Sequence, residues 1–166
     1  QYCLKAVESI LDYDYQNMEV IVQDNSDEKT LDSLLKNYLS DDRLVYRYTP
    51  PPFSSIDNFN AVIELATGKY VCLIGDDDGI TRNLFDVVEW ANQHDIDSVS
   101  PKEFVHYIWP NDTTNGKMVI PYSTNKVWQN VPITNLQDLI EDGVIMYMKF
   151  NLPKLYHGLI RKDVLD

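Results

Sequence analysis

Three consecutive carboxylates, Asp76-Asp77-Asp78, follow the apolar run Lys69-Tyr70-Val71-Cys72-Leu73-Ile74-Gly75 and precede Gly79. A short, β-favouring run bounded by glycines reads as a buried strand of a parallel sheet. Ligands of open α/β sheets bind just beyond the carboxyl ends of such strands. Adjacent acids repel one another unless a cation neutralises them, and hard oxygen donors suit Mg2+ or Mn2+. A divalent ion at such a place usually holds a phosphorylated substrate. The plainer alternative is a solvated acidic turn that only ends the strand.

Composition narrows the chemistry. The chain has 166 residues, 44% hydrophobic and 11% aromatic, enough for one globular domain with a real core. A formal net charge of −12 argues against nucleic acid as a partner. An acidic protein that handles an anionic substrate needs a positive element at its site, which again points to a metal. Cys3 and Cys72 sit in apolar patterns and are expected as buried, reduced thiols, with a single disulfide left open. No apolar run is long enough to span a bilayer and no signal-peptide pattern is visible. The expected location is cytoplasmic, with peripheral membrane association left open. The sequon Asn111-Asp112-Thr113 is of a kind that occurs often by chance.

The elements that must position the acids alternate. Cys3, Ala6, Val7, Ile10 and Leu11 fall on one helical face. Residues 18–23 read as a strand running into Asp24-Asn25-Ser26-Asp27, a cluster of turn and cap residues. A helix with Leu31, Leu34, Leu35 and Tyr38 on one face follows, then a strand over 44–48 closed by Pro50-Pro51-Pro52. Ser54 and Asp57 have capping-box spacing before a stripe of Ile56, Phe59, Ile63 and Ala66, with Gly68 as the stop. After the acids, Thr81 is expected to cap a helix lined by Leu84, Val87, Val88 and Ala91, and 96–99 reads as a strand. Beyond Pro101, residues 104–109 and 117–122 suggest a strand pair around a polar turn. Thr134 and Gln137 suggest a short helix, and 155–160 a strand with a helix starting near Arg161. The alternation predicts an α/β fold with a mostly parallel sheet flanked by helices, in two halves of one domain, 1–100 and 101–166.

The ordered set of Asp24-Asn25-Ser26-Asp27, Asn58-Phe59-Asn60, Ala66-Thr67-Gly68-Lys69-Tyr70-Val71 and Asp76-Asp77-Asp78 resembles the nucleotide-sugar-binding half of family 2 glycosyltransferases with the GT-A fold. The resemblance covers most of residues 1–99, and Tyr156-His157-Gly158-Leu159-Ile160-Arg161 is also similar. It implies an activated sugar held through its diphosphate on Mg2+ or Mn2+, and inverting transfer to a saccharide or lipid-linked acceptor, as in polysaccharide biosynthesis. It further implies that Asp24 contacts the base or ribose. Asp76 and Asp78 would be the outer acids of an Asp-x-Asp motif, Asp78 the most direct metal ligand, and Asp77 the variable middle position. Asn58 reaches the nucleotide from a helix start in the same reading. The family begins with a strand before the helix at which this sequence opens, so the expected sheet lacks that first strand. Glu141-Asp142 has the letters of the family's catalytic acid pair but precedes Gly143 at a helix end. The base is therefore expected beyond Asp166, and no catalytic residue is assigned.

Other residues carry two readings each. Asp27 reads better as an N-cap than as a substrate contact, and Asn60 is balanced between structure and function. His157 reads as a hydrogen-bonded core residue before an acceptor or phosphate contact. Tyr107, Trp109, Tyr122 and Trp128 offer flat faces for sugars or for the core. The enzyme alternative is a haloacid-dehalogenase-like phosphatase, in which Asp76 attacks phosphorus. Ile80 stands where that motif has Thr, and no later lysine and acid pair makes a convincing match to it. A nucleotidyltransferase of related fold and a non-catalytic nucleotide-binding fragment are the remaining alternatives.

Overall fold

The computed structural model describes residues 2–101, 106–108, 117–119 and 157–165. Helix α1 (Tyr2–Leu11) forms on the expected stripe, with Ala6, Val7, Ile10 and Leu11 all buried. The last carbonyls of a helix lack intrahelical partners, and here a cation supplies them. The Arg43 guanidinium donates to the carbonyl oxygens of Leu11, Tyr13 and Tyr15 at 2.9, 2.9 and 3.3 Å. It also donates to both oxygens of Asp41, at 3.0 and 2.8 Å. These bonds from Arg43 hold the Asp41 carboxyl down at about 2.

Strands β1 (Val20–Asp24) and β2 (Leu44–Tyr48) run parallel, in register from Val20 opposite Leu44 to Asp24 opposite Tyr48. A parallel pair needs a crossover, which contains α2 (Leu31–Leu35). Val7 and Leu11 of α1, Leu35 of α2 and Leu44 of β2 form the core, with Cys3, Val20, Val22, Tyr38 and Tyr46 packed around it. The second helix is shorter than its predicted stripe, and Leu34 is exposed.

Helix α3 (Ser55–Leu65) starts as its spacing predicts, the Asp57 N–H donating to Ser54 Oγ at 3.1 Å. Its apolar stripe does not behave as predicted. Ile56 is 71% and Phe59 40% exposed, because the helix lies on β1 turned so that Asn58 meets the strand (Nδ2 to the Gln23 carbonyl, 3.3 Å). It stops at Leu65 rather than Gly68, and Ala66 is the cap. Beyond it, the Glu19 carboxylate accepts from the N–H groups of Thr67 and Gly68 and from Thr67 Oγ1, at 2.6 to 3.0 Å. That carboxylate ties the entrance of β1 to the entrance of β3 (Tyr70–Cys72).

Helix α4 (Asn83–Gln93) has Arg82, not Thr81, in the N-cap position, with no side-chain cap bond. Thr81 contributes its carbonyl instead, accepting from Leu84 N at 2.9 Å. Ala91 is fully buried, and Phe85 stacks on Tyr15 at a centroid separation of 4.4 Å. Strand β4 (Ser98–Val99) follows. The chain divides into two compact units, Gln1–Val99 with Leu155–Asp166, and Ser100–Lys154. The second contains the predicted strand pair as β5 (His106–Ile108) antiparallel to β6 (Lys117–Val119).

Strand β7 (Leu159–Arg161) belongs to the first unit and lies antiparallel between β3 and β4, leading into a 3-10 turn at Lys162–Val164. The expectation of a mostly parallel sheet is therefore met only by β1 and β2 among the described strands. The short strand at 159–161 carries no sequence signal of its direction, and it returns between two strands that precede it. Trp109, Tyr122, Trp128, Thr134, Gln137, Glu141, Asp142 and the sequon at Asn111 lie outside the described residues. Among the described residues no helix is long and apolar enough to cross a membrane.

Candidate functional site

Beyond β3 the chain makes a turn over residues 75–78. Asp78 N donates to the Gly75 carbonyl at 3.3 Å, and Gly75 N donates to Asp78 Oδ2 at 3.0 Å. The turn leaves Asp76 and Asp77 exposed and folds Asp78 inward. Asp78 Oδ2 also lies 2.8 Å from His157 Nε2. A carboxylate only accepts, so the ring carries its proton on Nε2. The repulsion expected of three adjacent acids is eased at Asp78 by the Gly75 N–H and the His157 ring.

His157 is delivered by the approach to β7. Its backbone N–H donates to the Leu73 carbonyl at 2.8 Å, and its φ is 62°. Left-handed backbone is uncommon for a residue with a side chain, and such residues gather at functional sites. His157 is hydrogen-bonded as read, but it is partly exposed rather than in the core: its ring binds the acidic turn. The sequence signals were the glycine after it and the resemblance of the stretch around it. Nothing in the sequence showed that residue 157 returns to residue 78.

Asp24, the last residue of β1, is 6% exposed and is the one buried charged residue among the described residues. Its Oδ1 accepts from Ser26 N at 3.0 Å and Ser26 Oγ at 2.6 Å, and its Oδ2 accepts from the Tyr46 hydroxyl at 2.9 Å. A carboxylate survives burial only with such donors. Asp27 is exposed, and Thr30 occupies the cap position of α2 without a side-chain bond. The cap role read for Asp27 is therefore corrected: Asp24 organises this turn, bonding the backbone two residues on.

Glu19 holds the entrances of β1 and β3 together; Asp24 ends the first of these strands and the acidic turn follows the second. The Cys3 thiol is pushed up to about 11, first by burial, then by the charge of Asp76, with Asp24 adding to it. Burial alone pushes Cys72 up to about 11. Both cysteines are free and partly buried, less enclosed than expected. Since the thiolate is the nucleophile, iodoacetamide labelling of both is expected to be slow at pH 8 and to rise towards pH 11. Labelling at pH 8 as fast as that of free cysteine would contradict this arrangement.

Asn58 spans from α3 to β1, and its Oδ1 is buried without a hydrogen-bond partner among the described residues, as is Gln23 Oε1. Asn60 is exposed on the same helix. Among the described residues no group of three or more His, Cys, Asp or Glu side chains is gathered to hold a metal. Mg2+ is usually held by one or two carboxylates with substrate phosphates and water rather than by an all-protein cage. Asp76 and Asp78 fit that donor set.

The family model described as glycosyl transferase family 2 matches residues 1–150. No curated protein and no solved structure matched the chain.

Proposed function

Because the chain belongs to glycosyl transferase family 2, we propose that Asp24 and the turn at residues 75–78 hold a nucleotide-sugar donor, whose sugar passes to a saccharide or lipid-linked acceptor. The observation that supports this most is that Asp24 closes β1 and the acidic turn follows β3, two strands whose entrances the Glu19 carboxylate ties together. Asp24 accepts from the base or ribose of the donor. Asn58 contributes an acceptor, since its buried Oδ1 has no partner among the described residues and such an atom costs about 1–3 kcal/mol until a donor reaches it.

Asp76 and Asp78 are the residues that would hold Mg2+ or Mn2+, with Asp77 adding to the local field. A divalent ion, when bound, offsets the charge that develops on a diphosphate leaving group as the glycosidic bond breaks. His157 and the Gly75 N–H keep Asp78 turned inward, so the carboxylate needs little reorganisation to bind. Inverting transfer requires a base, and none of the described residues is assigned to that role. In this reading Ser100–Lys154 begins the acceptor side, while residues from Leu155 onward return to the donor-side unit.

The test is thermal denaturation with uridine, guanosine, cytidine and thymidine diphosphate sugars, each with and without Mn2+. One class of donor is expected to raise the melting point only when Mn2+ is present. At a hundred times Kd the stabilisation is about 2.7 kcal/mol. No metal-dependent shift with any donor would overturn the reading. Phosphate release from monoesters that disappears in Asp76→Asn would favour the phosphatase alternative instead.

A further inference from the structure

Tyr46 stands beside Asp24 without being part of any motif. The parallel register puts Val22 opposite Tyr46 and Asp24 opposite Tyr48. Side chains alternate along a strand, so Tyr46 shares a face with Val22 and Asp24 and sits one pleat behind the carboxylate. Its ring packs against the core of Val7, Leu11, Leu35 and Leu44, and its hydroxyl reaches forward to Asp24 Oδ2 at 2.9 Å. We infer that Tyr46 is a positioning residue, fixing the Asp24 carboxylate in the orientation that receives the nucleoside of the donor. The inference rests on the donor-binding reading given above.

A carboxylate offers about four acceptor directions. Ser26 fills two on Oδ1 through its N–H and Oγ, and Tyr46 fills one on Oδ2. One direction on Oδ2 is left among the described residues, and a ribose hydroxyl or a base N–H is the group that would use it. Ser26 alone holds only one oxygen, around which the carboxylate can still turn. The Tyr46 bond fixes the second oxygen and so the remaining acceptor direction. The neighbouring ring supports the same turn, with the Tyr48 hydroxyl donating to the Ser26 carbonyl at 3.3 Å. Burial pushes the Tyr46 phenol up, and the Asp24 bond adds to this, so the hydroxyl remains a donor throughout the neutral range. At 6% exposure, Asp24 has little water with which to replace a lost partner.

The experiment compares Mn2+-dependent binding of nucleoside diphosphates (uridine, guanosine, cytidine and thymidine) with that of inorganic pyrophosphate by calorimetry. Pyrophosphate reports the acidic turn alone, and the difference reports the nucleoside end. Tyr46→Phe keeps the ring and removes the hydroxyl. It is expected to weaken the preferred nucleoside diphosphate about tenfold and leave pyrophosphate unchanged, which a general loss of structure would not do. In Asp24→Asn, adding Tyr46→Phe is expected to cost little more, because the two act as one unit. Tyr46→Phe with full preference for the nucleoside diphosphate, or equal loss for both probes, would overturn the inference. Failure of the parent reading is visible separately, in an unaltered chain that shows no preference for any nucleoside diphosphate over pyrophosphate; both would then fall.

Discussion

Asp78→Asn is expected to lower the affinity for Mn2+ with a nucleoside diphosphate about a hundredfold, the upper range for losses around a metal centre. The amide copies the shape of the carboxylate but not its charge. It also weakens the bond to His157, because a carboxylate is the stronger acceptor. Any stability gained by removing one of three adjacent charges is offset by that weaker bond, so the melting point should change little. His157→Asn is the companion variant. Asn tolerates left-handed backbone better than most residues, so it suits the φ of 62° at this position, but its short side chain cannot make the 2.8 Å contact to Asp78. A loss of about tenfold is expected there. Calorimetry that finds unchanged metal-dependent affinity in Asp78→Asn would remove this residue from the site.

The largest effect on stability is expected from Leu35→Ala. Leu35 has no exposed surface and is the largest fully buried side chain among the described residues. It lies on the crossover helix between β1 and β2, against Val7, Leu11 and Leu44. Truncation removes apolar contact and leaves a space that a short helix and a two-stranded sheet can only partly close. About 3 kcal/mol of lost stability is expected, read as a lower denaturation midpoint with an unchanged denaturant slope. A loss under about 1 kcal/mol would mean that α2 collapses into the space and that the core is less fixed than described.

Local signals read well where the physics was local. The stripe of α1 and the cap at Ser54 and Asp57 depend on neighbours within a turn or two, and both formed as their spacing required. The strand before the acidic turn formed over Tyr70–Cys72, but partly buried and antiparallel to β7 rather than buried in a parallel sheet. The departures are matters of tertiary placement. Ile56 and Phe59 have the right period for a buried stripe, but period does not say which face a helix turns to its strand. Thr81 has the right chemistry for a cap, but the helix begins two residues later, with Arg82 between. The partners of the acids were hardest to see. Tyr46 meets Asp24 through strand register, and His157 meets Asp78 through the return of β7. Neither pairing is encoded by spacing along the chain.

The position of β7 also constrains the order in which the protein can form. The α1, β1, α2 and β2 segment draws its core from residues close in sequence, and a ribosome would release it early. The three-stranded sheet cannot close then, because Val71 and Ser98 both pair with Ile160. Such distant pairing carries a high loop-closure cost and slows folding. Until residue 160 emerges, β3 and β4 have no strand between them, and the acidic turn lacks the imidazole that holds Asp78. Synthesis would therefore deliver the Asp24 end of the site before the Asp78 end. A slow phase limited by β7 docking would appear in Asp78-dependent metal binding but not in burial of the first core.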